Sequence, residues 1–514
     1  MTEKLIVLVN PNHPGNCAQS ALGRENIGLG YLSSGLIDQG FTSKILDSRL
    51  ANQTPQDAIN AILELNPIIA GFSVYAKDAS RWTELVAEAV KRENRGIHVS
   101  VGSYFPTLQP IRAFQSMPSV DSIVIREGDR TFPELVSRIG DGKEWRNIRG
   151  IAYKSADSVQ INPHRELVNN LDSLPFPEHY ASMFGLDEFA IEGSRGCYCA
   201  CTFCSIIPFF SAGEPQERWR YRSASSIVDE IKTVNQAYPE PRLFRFVDPE
   251  FVGAPRHEDR LRDFLKELKR NQLDIEFIIT TRTKSVLGTP EDVWKDLQRV
   301  GLKEVYLGVE TASPHIKKMM QKGTTIEEDK RAISLLNNLN IKTRFGFMMI
   351  TPWTTEDDIE FNARMLRSLG FARLDKYFQE MFLVPGTKSV ELAKRTTDIW
   401  YDGNDRQGEY YTYDLPHPID NLRRMTRTVM MKHDEFMDKV LALHDTIRKS
   451  ELFSTSDMSA QKEKLGNFCL DFFLRIFDGA EKLKPELTEE EIDKYIDNLI
   501  HEYEIKLENM EIIM

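Results

Sequence analysis

The sequence predicts an α/β protein in which two series of alternating strands and helices precede a helical C-terminal region. Short apolar runs alternate with amphipathic stretches over residues 4–140, and the same alternation returns from residue 189. Beyond residue 387 the apolar positions follow helical spacing without clear strand runs. The length of 514 residues exceeds that of one ordinary core, so several domains are expected.

The first series predicts a doubly wound parallel sheet of the Rossmann-like kind, over residues 1–140. Its strand runs are LIVLV (5–9), SKILD (43–47), IIAGFSV (68–74), HVSVG (98–102) and SIVI (122–125). Helices are predicted at 28–39, 55–65, 78–94, 108–116 and 131–139. The segments after the strands are rich in Gly, Ser, Asn and Pro. Because ligands bind at the carboxyl ends of the strands in such sheets, these loops indicate a ligand site.

Residues 141–186 hold Pro, Asn and polar residues, which predict an extended linker. The second series then predicts a parallel (β/α)6 partial TIM barrel over 187–387, with active groups at the strand C-termini. Its strand runs are FAIEG (189–193), LFRFVD (243–248), EFIITT (276–281), EVYLGVE (304–310), TRFGFMMI (343–350) and KYFQEMFLV (376–384). A helical C-terminal domain is predicted for 388–514, in which residues 397–421 fit either a pocket lining or a packed cap.

Composition narrows the class of protein. Hydrophobic residues make up 41% and charged residues 28%, as in soluble globular proteins. The net charge of −12 argues against a nucleic-acid backbone as the main partner, because phosphate binding favours a basic face. We find no apolar run of about 18 residues and therefore expect no membrane span. The N-terminal run LIVLV is too short for a signal segment, and we expect a cytoplasmic protein.

Four of the six cysteines lie in the loop "GSRGCYCACTFCSII", directly after a predicted strand. Three cysteines at the spacing Cys197-x3-Cys201-x2-Cys204 can hold three corners of an iron–sulfur cubane and leave one iron open. The alternative is a zinc site of all four cysteines, but zinc usually takes two separated pairs and the loop offers no second pair. Cys199 is not needed by the cubane spacing, and we interpret it as a thiol that faces away.

The cysteine loop in its strand context resembles the radical SAM superfamily, and the chain over residues 4–390 is similar to its cobalamin-binding branch. The resemblance implies a [4Fe–4S] cluster held by Cys197, Cys201 and Cys204. It implies that the open iron chelates S-adenosylmethionine (SAM), whose reductive cleavage gives a 5′-deoxyadenosyl radical. It also places the aromatic ring of Phe203 near the adenine.

Further segments resemble SAM-binding segments of that family. "LFRFVDPEFVG" is similar to the strand whose backbone meets the SAM amino group, with Asp248 at its polar end. "EVYLGVETAS" implies that Glu310 binds the ribose, and "MMQKGTT" that Lys322 binds the carboxylate, where a cation makes a charge-assisted bond. "TTRTK" implies a cofactor-side role for Arg282. The segment "GFMMITPWTTEDD" departs from the usual G-x-P-G-E-T, because Trp353 replaces the second glycine.

The first domain resembles the cobalamin-binding domain of the same branch. The family's Gly-Gly-x-His-Pro-Thr turn corresponds to residues 102–107, where Phe105 replaces the histidine, and its Gly-Glu-Gly-Glu turn to Arg126-Glu127-Gly128-Asp129. The residues that the resemblance assigns to cobalamin are Asn10, Ser73, Val74, Tyr75, Gly102, Ser103, Tyr104, Glu127 and Gly128. A D-x-H-x-x-G signature is absent and His13 does not fit its spacing, so we expect no histidine below cobalt. We interpret Cys17, in the same loop, as an inert thiol.

The resemblance implies a methyltransferase in which methylcobalamin delivers a methyl group to an unactivated carbon radical. One alternative keeps both cofactors but performs a rearrangement, cyclisation or oxidation. Another, from a different class, is a zinc- or ligand-binding protein that is not an enzyme. A tRNA methylthiotransferase is disfavoured, since it would need further cysteines in the first domain. We expect a small-molecule or peptide substrate and an electron donor such as flavodoxin or ferredoxin; catalytic residues beyond the cofactors are not identified.

Overall fold

The fold comes from a computed structural model. It describes residues 4–12, 23–75, 78–156, 158–210, 218–238, 243–255, 257–400, 411–450, 457–485 and 487–510. His13 and Cys17 therefore lie outside the described residues, as does part of the segment 397–421. No helix in the described part of the chain combines the length and the apolar character needed to cross a membrane.

The N-terminal sheet contains the five predicted parallel strands. In chain order its elements are β1 (Leu5–Asn10), α1 (Ile27–Ile37), β2 (Thr42–Asp47), α2 (Pro55–Leu65), β3 (Ile69–Ser73), α3 (Asp78–Glu93), β4 (His98–Gly102), α4 (Tyr104–Leu108), α5 (Pro110–Ser116), β5 (Ser122–Val124) and α6 (Thr131–Gly140). The strand order begins β2-β1-β3-β4-β5, with helices on both faces. The predicted helix at 108–116 corresponds to α5. The sequence analysis missed the short α4 before it, which ends ahead of Pro110 because proline has no N–H to continue the helix.

The predicted linker at 141–186 is wrong in its first half. Two antiparallel strands, β6 (Ile151–Ser155) and β7 (Ser158–Ile161), extend the sheet beyond β5 and make it seven-stranded. Most of their residues are exposed or only half-buried. Because β6 and β7 lack a continuous apolar run, the strand pattern is not visible in the sequence.

The second series forms a parallel sheet in the order β14-β13-β12-β11-β8. Its elements are β8 (Glu188–Ile191), β9 (Ser194–Gly196), α7 (Ile206–Phe210), β10 (Trp219–Tyr221), α8 (Ala224–Ala237), β11 (Leu243–Phe246), α9 (Glu258–Arg270), β12 (Glu276–Thr281), α10 (Thr283–Gly288), α11 (Glu291–Arg299), β13 (Leu302–Glu310), α12 (Pro314–Met319), α13 (Ile326–Asn338), β14 (Lys342–Phe347) and α14 (Glu356–Ser368). The short strands β9 and β10 pair separately as an antiparallel ribbon beside the cysteine loop.

The sixth predicted barrel strand, 376–384, is reduced to one parallel bridge. The segment begins in a short helix, α15 (Leu374–Tyr377), and afterwards makes a single bridge between Glu380 and Ile350. Its apolar side chains pack in two directions. Tyr377 and Phe378 enter the large core, whereas Met381 and Leu383 enter a smaller cluster near the cysteine loop. An apolar run that serves two cores resembles a strand in sequence without forming one.

The C-terminal region is helical and shares its core with the barrel. Its elements are α16 (Lys388–Ala393), β15 (Ile399–Trp400), β16 (Thr412–Tyr413), α17 (Ile419–Lys432), α18 (Asp434–Ser450), α19 (Asp457–Lys482) and α20 (Glu489–Glu508). One continuous cluster of buried residues runs from Phe189 of β8 to Tyr503 of α20. Tyr377 stacks on Phe473 of α19 with ring centroids 4.8 Å apart. The predicted 388–514 domain is therefore packed into the barrel wall.

Candidate active site between the two sheets

The cysteine loop follows β8 at the carboxyl edge of the barrel sheet. Gly196 turns the chain into it with φ of +80°, and a Cβ there would collide with the carbonyl oxygen of Arg218, so only glycine fits. Cys197 and Cys201 are buried, while Cys199 and Cys204 are half-buried. The predicted ligands thus lie where parallel barrels carry their active groups.

Arg282 connects the cysteine loop to the next predicted SAM residue. Its Nη1 donates to Cys201 Sγ at 3.0 Å and its Nη2 to the carbonyl oxygen of Lys322 at 2.9 Å. Burial acts to lower the pKa of Arg282, but the neighbouring thiolates outweigh it and raise that pKa above its ordinary value. The guanidinium is therefore placed to offset negative charge on a thiolate-bound cluster.

Cys199 does not face away from the other cysteines, which corrects that interpretation. A hydrogen bond between the side chains of Cys197 and Cys199 raises the pKa of Cys197, with burial adding to it, and lowers the pKa of Cys199 to about 6. Burial raises the pKa of Cys204 to about 11. Within the described residues, no three His, Cys, Asp or Glu side chains converge closely enough to hold a single metal ion. The four-cysteine zinc site therefore has no preformed tetrahedron there.

Phe203 packs at the edge of the smaller cluster, which contains Trp353 and Met320. The loop is fastened to this cluster because Thr202 N donates to the carbonyl oxygen of Met320 at 3.0 Å. Trp353, which departs from the family pattern, is nearly buried. The turn it belongs to is kept by a hydrogen bond from Thr354 N to the carbonyl oxygen of Thr351 at 3.1 Å.

Glu310 and Lys322 form a partly buried ion pair, with 3.4 Å between Oε1 and Nζ. Two glycines of neighbouring strands make room for it. A Cβ on Gly346 would lie 2.9 Å from Glu310 Oε2, and one on Gly308 would lie 3.0 Å from Lys322 Nζ. Glu310 itself has a φ of +70°, a backbone conformation that non-glycine residues rarely adopt and that is common at functional sites.

Two buried carboxylates mark the carboxyl end of β11. Asp248 Oδ2 accepts from Gly193 N at 2.9 Å, while Oδ1 has no hydrogen-bond partner among the described residues. The sequence analysis missed Glu250, whose carboxylate is arranged in the same way. Its Oε1 accepts a hydrogen bond from Thr281, and its Oε2 has no hydrogen-bond partner among the described residues. Burial raises the pKa of Asp248 to about 6 and that of Glu250 to about 7. Each carboxylate therefore keeps one buried oxygen for a donor that the protein does not supply.

A cavity of about 390 Å³ lies between the carboxyl edge of the first sheet and the mouth of the barrel. All the residues predicted to bind cobalamin line it except Asn10 and Val74. Side chains alternate along an extended chain, so Ser73 and Tyr75 face the cavity while Val74 enters the core. Asn10 lies one layer deeper, where its Nδ2 donates to Asp47 Oδ1 at 3.0 Å.

The barrel supplies the opposite wall of the cavity with Glu192, Ser194, Arg195 and the segment around Phe209. Tyr104 of α4 stacks on Phe209 of α7, with ring centroids 4.4 Å apart. The cavity thus begins at the residues that lead into the cysteine loop and ends at the turns of the first sheet.

Arg195 joins the two domains at this cavity, and the sequence analysis did not identify it as a site residue. Its Nη1 and Nη2 donate to Asp129 at 2.8 and 3.0 Å, and its Nε donates to Glu192 at 2.7 Å. Burial acts to raise the pKa of Asp129, but the positive charge of Arg195 outweighs burial and holds that pKa below its ordinary value. Burial raises the pKa of Glu192 to about 7.

The comparisons with known proteins match this geometry. A profile of the radical SAM superfamily matches residues 191–366, and a profile of the B12 binding domain matches residues 17–136. Residues 191–366 form a radical SAM domain. A B12-binding domain lies ahead of it, as the two sheets indicate.

Two curated relatives and one solved structure illustrate the similarity. The chain is 27% identical to an uncharacterized methyltransferase, PH0819, of Pyrococcus horikoshii, over 71% of this chain and 78% of that one. It is 27% identical to an anaerobic magnesium-protoporphyrin IX monomethyl ester cyclase of Rubrivivax gelatinosus, over 70% and 65%. It shares the fold of the cobalamin-dependent S-adenosylmethionine radical enzyme OxsB, with a TM-score of 0.74 and 20% identity over 99% and 80%.

A radical SAM domain together with a B12-binding domain implies a [4Fe–4S] cluster, SAM and cobalamin as cofactors. The residues present fit these groups. Soft thiolate donors and a cation lie at the cluster position, and two buried carboxylate oxygens without a partner among the described residues lie at the carboxyl end of β11. The cavity next to the first sheet is lined by the predicted cobalamin residues named above. The expected absence of a histidine below cobalt stays a prediction, since His13 is outside the described residues.

Proposed function

We propose that this radical SAM protein is a cobalamin-dependent methyltransferase that methylates an unactivated carbon of a small-molecule or peptide substrate. One observation carries the proposal. A single cavity joins the predicted cobalamin residues to Glu192 and Ser194, which lie directly before the cysteine loop. A substrate in this cavity would contact both cofactor sites at once. The Pyrococcus relative, named as a methyltransferase, supports the reaction class.

In this proposal Cys197, Cys201 and Cys204 ligate the cluster, and Arg282 offsets its negative charge through Cys201. When bound, the cluster and SAM supply a carbon-centred radical, and cobalamin supplies the methyl group. Cys199 is not a ligand.

Lys322 binds the SAM carboxylate, and Glu310 binds the ribose. Bound SAM therefore replaces the ion pair that these two side chains make with each other. Phe203 lies against the adenine. The buried free oxygen of Asp248 accepts a hydrogen bond from the SAM amino end. The predicted cobalamin residues that line the cavity hold the corrin from the side of the first sheet; they are Ser73, Tyr75, Gly102, Ser103, Tyr104, Glu127 and Gly128.

We further infer that a small reduced protein such as flavodoxin or ferredoxin supplies the electron and that the protein works in the cytoplasm. The family's reductive cleavage of SAM supports the first inference, and the thiol-rich, oxygen-sensitive site supports the second. Neither depends on the identity of the substrate.

The proposal is tested without a known substrate. Anaerobically purified protein, with its cluster reconstituted, is given SAM and a low-potential reductant, with and without cobalamin. We expect S-adenosylhomocysteine only when cobalamin is present and 5′-deoxyadenosine only when the cluster is present. A Cys204→Ala variant should lose the second product. Failure to form S-adenosylhomocysteine with cobalamin bound would refute methyl transfer.

A second candidate is a cyclisation or oxidation with the same cofactors, which the similarity to the Rubrivivax cyclase favours. Such a reaction needs the radical but no methyl donor. It therefore gives 5′-deoxyadenosine without S-adenosylhomocysteine, and the same assay separates the two candidates.

A further inference from the structure

Five charged residues line the cavity, and four of them are paired. Glu127 accepts from Arg220 at 2.8 Å, and Arg195 binds both Asp129 and Glu192. Arg126 is the exception. Its Nη1 is fully buried, and in the described part of the chain no acceptor contacts it. Burial also lowers the pKa of Arg126, which the neighbouring Glu127 only partly opposes. The cavity wall therefore carries one guanidinium whose buried Nη1 lacks an acceptor among the described residues.

The backbone of Arg126 has an unusual conformation. Its φ is +69°, in the left-handed region that favours glycine. The family's turn has glycine at the corresponding position, as noted above. The conformation is held by a hydrogen bond from Arg126 N to Thr107 Oγ1 at 2.9 Å. A long cationic side chain at a position where glycine is preferred, with a buried Nη1 that no described acceptor contacts, indicates that this guanidinium binds a ligand.

We propose that the Arg126 guanidinium binds the phosphodiester of the nucleotide loop of cobalamin. Cobalamin carries one anionic side group, this phosphodiester, while its corrin side chains are neutral amides. A guanidinium is the side chain best matched to phosphate oxygens, and burial strengthens such a pair. Arg126 precedes Glu127 and Gly128 in the turn predicted to hold the cofactor, so the contact comes from the first sheet. The inference rests on cobalamin binding and is independent of whether the reaction is methylation.

The test compares two corrinoids on the cluster-containing protein. Aquacobalamin has the nucleotide loop, whereas diaquacobinamide lacks the phosphate, ribose and base. Dissociation constants are measured by absorbance titration for wild type, Arg126→Gly, Arg126→Lys and Arg130→Gly. Glycine adopts the left-handed φ without strain, so Arg126→Gly removes the guanidinium and keeps the turn. Arg130 is exposed in the same loop and serves as the matched control.

We expect Arg126→Gly to weaken aquacobalamin binding by about ten- to a hundredfold, the range of a lost charge-assisted hydrogen bond. Diaquacobinamide binding should change by less than about twofold. Arg126→Lys should fall between the two, because it keeps the charge but not the two-pronged geometry. Arg130→Gly should bind both corrinoids as wild type does.

Equal losses for both corrinoids would overturn the proposal, since Arg126 would then act on the corrin amides or on the fold. No loss for either would overturn it too, and would assign the charge to a substrate anion. A lower thermal midpoint of cofactor-free Arg126→Gly would show a structural role and likewise contradict it. These outcomes are distinct from a failure of the proposed function, which is read from S-adenosylhomocysteine formed by the wild type.

Discussion

Replacing Arg195 by methionine tests the electrostatic link between the two domains. The substitution keeps most of the apolar volume but removes two hydrogen bonds to Asp129 and one to Glu192. The side chains of these acids are only 9% and 16% exposed, so their charges would be left nearly buried. Glu127 would keep Arg220 as its partner.

Breaking a buried ion pair by removing one partner costs about 3–5 kcal/mol, mostly because the other charge is left unpaired. We therefore expect Arg195→Met to lower the calorimetric unfolding midpoint of the cofactor-free protein by about 3–5 °C at pH 8. If the unpaired buried charge causes the loss of stability, removing that charge should restore part of it. Arg195→Met combined with Asp129→Asn removes one of the orphaned charges and should be more stable than Arg195→Met alone.

The matched control is Arg262→Met, which breaks an exposed pair with Asp292, at 46% and 66% exposure. Such pairs contribute about 0–1 kcal/mol, so the midpoint should hardly move. If Asp129→Asn lowers the stability of Arg195→Met further, then lost contacts rather than buried charge cause the effect. The reasoning would then be refuted.

Three further predictions concern the cofactor sites. Cys204→Ala should reduce bound iron from about four per chain to near zero after anaerobic reconstitution, while Cys199→Ser should keep it; equal iron in both variants would contradict the ligand assignment. Lys322→Met should weaken SAM binding at least about tenfold in equilibrium dialysis, because a charge-assisted bond is lost; unchanged affinity would exclude its contact with the carboxylate. Burial raises the pKa of Glu192 to about 7 in the folded protein, above its value in the unfolded chain. The protonated side chain therefore stabilises the folded protein at low pH, and this stabilisation is lost as the pH rises through 7. The thermal midpoint of Glu192→Gln relative to wild type should therefore increase between pH 5 and 8, and a pH-independent difference would contradict the shift.

Strands that are buried on both faces could be predicted from the sequence. β1 is a continuous apolar run whose last five residues are buried, and the same pattern identifies β3 and β4. The hairpin of β6 and β7 could not be predicted, because its exposed residues carry no apolar run. The segment 376–384 misled for the opposite reason, since its apolar residues pack into two separate cores.

The candidate site also contains residues that the sequence predicts and residues that it does not. Cys197, Cys201 and Cys204 lie on one short loop, so spacing alone brings them together. Arg195 is 66 residues from Asp129, and nothing local in either segment indicates their pairing. Glu250 is likewise invisible, because its buried oxygen has meaning only once β11 and β12 are side by side. Sequence reasoning finds local motifs and misses contacts that the tertiary fold creates.

The core shared by the barrel and the C-terminal helices limits how the protein can be shortened. A chain that stopped after residue 387 would leave Tyr377 and Phe378 facing water, together with the faces of α14 and α15 that α19 covers. Such a fragment would retain every predicted cofactor residue and still precipitate, because its newly exposed apolar surface would associate with other copies. Residues 388–514 therefore complete an apolar core that the barrel alone leaves open, so catalysis and solubility cannot be separated by trimming.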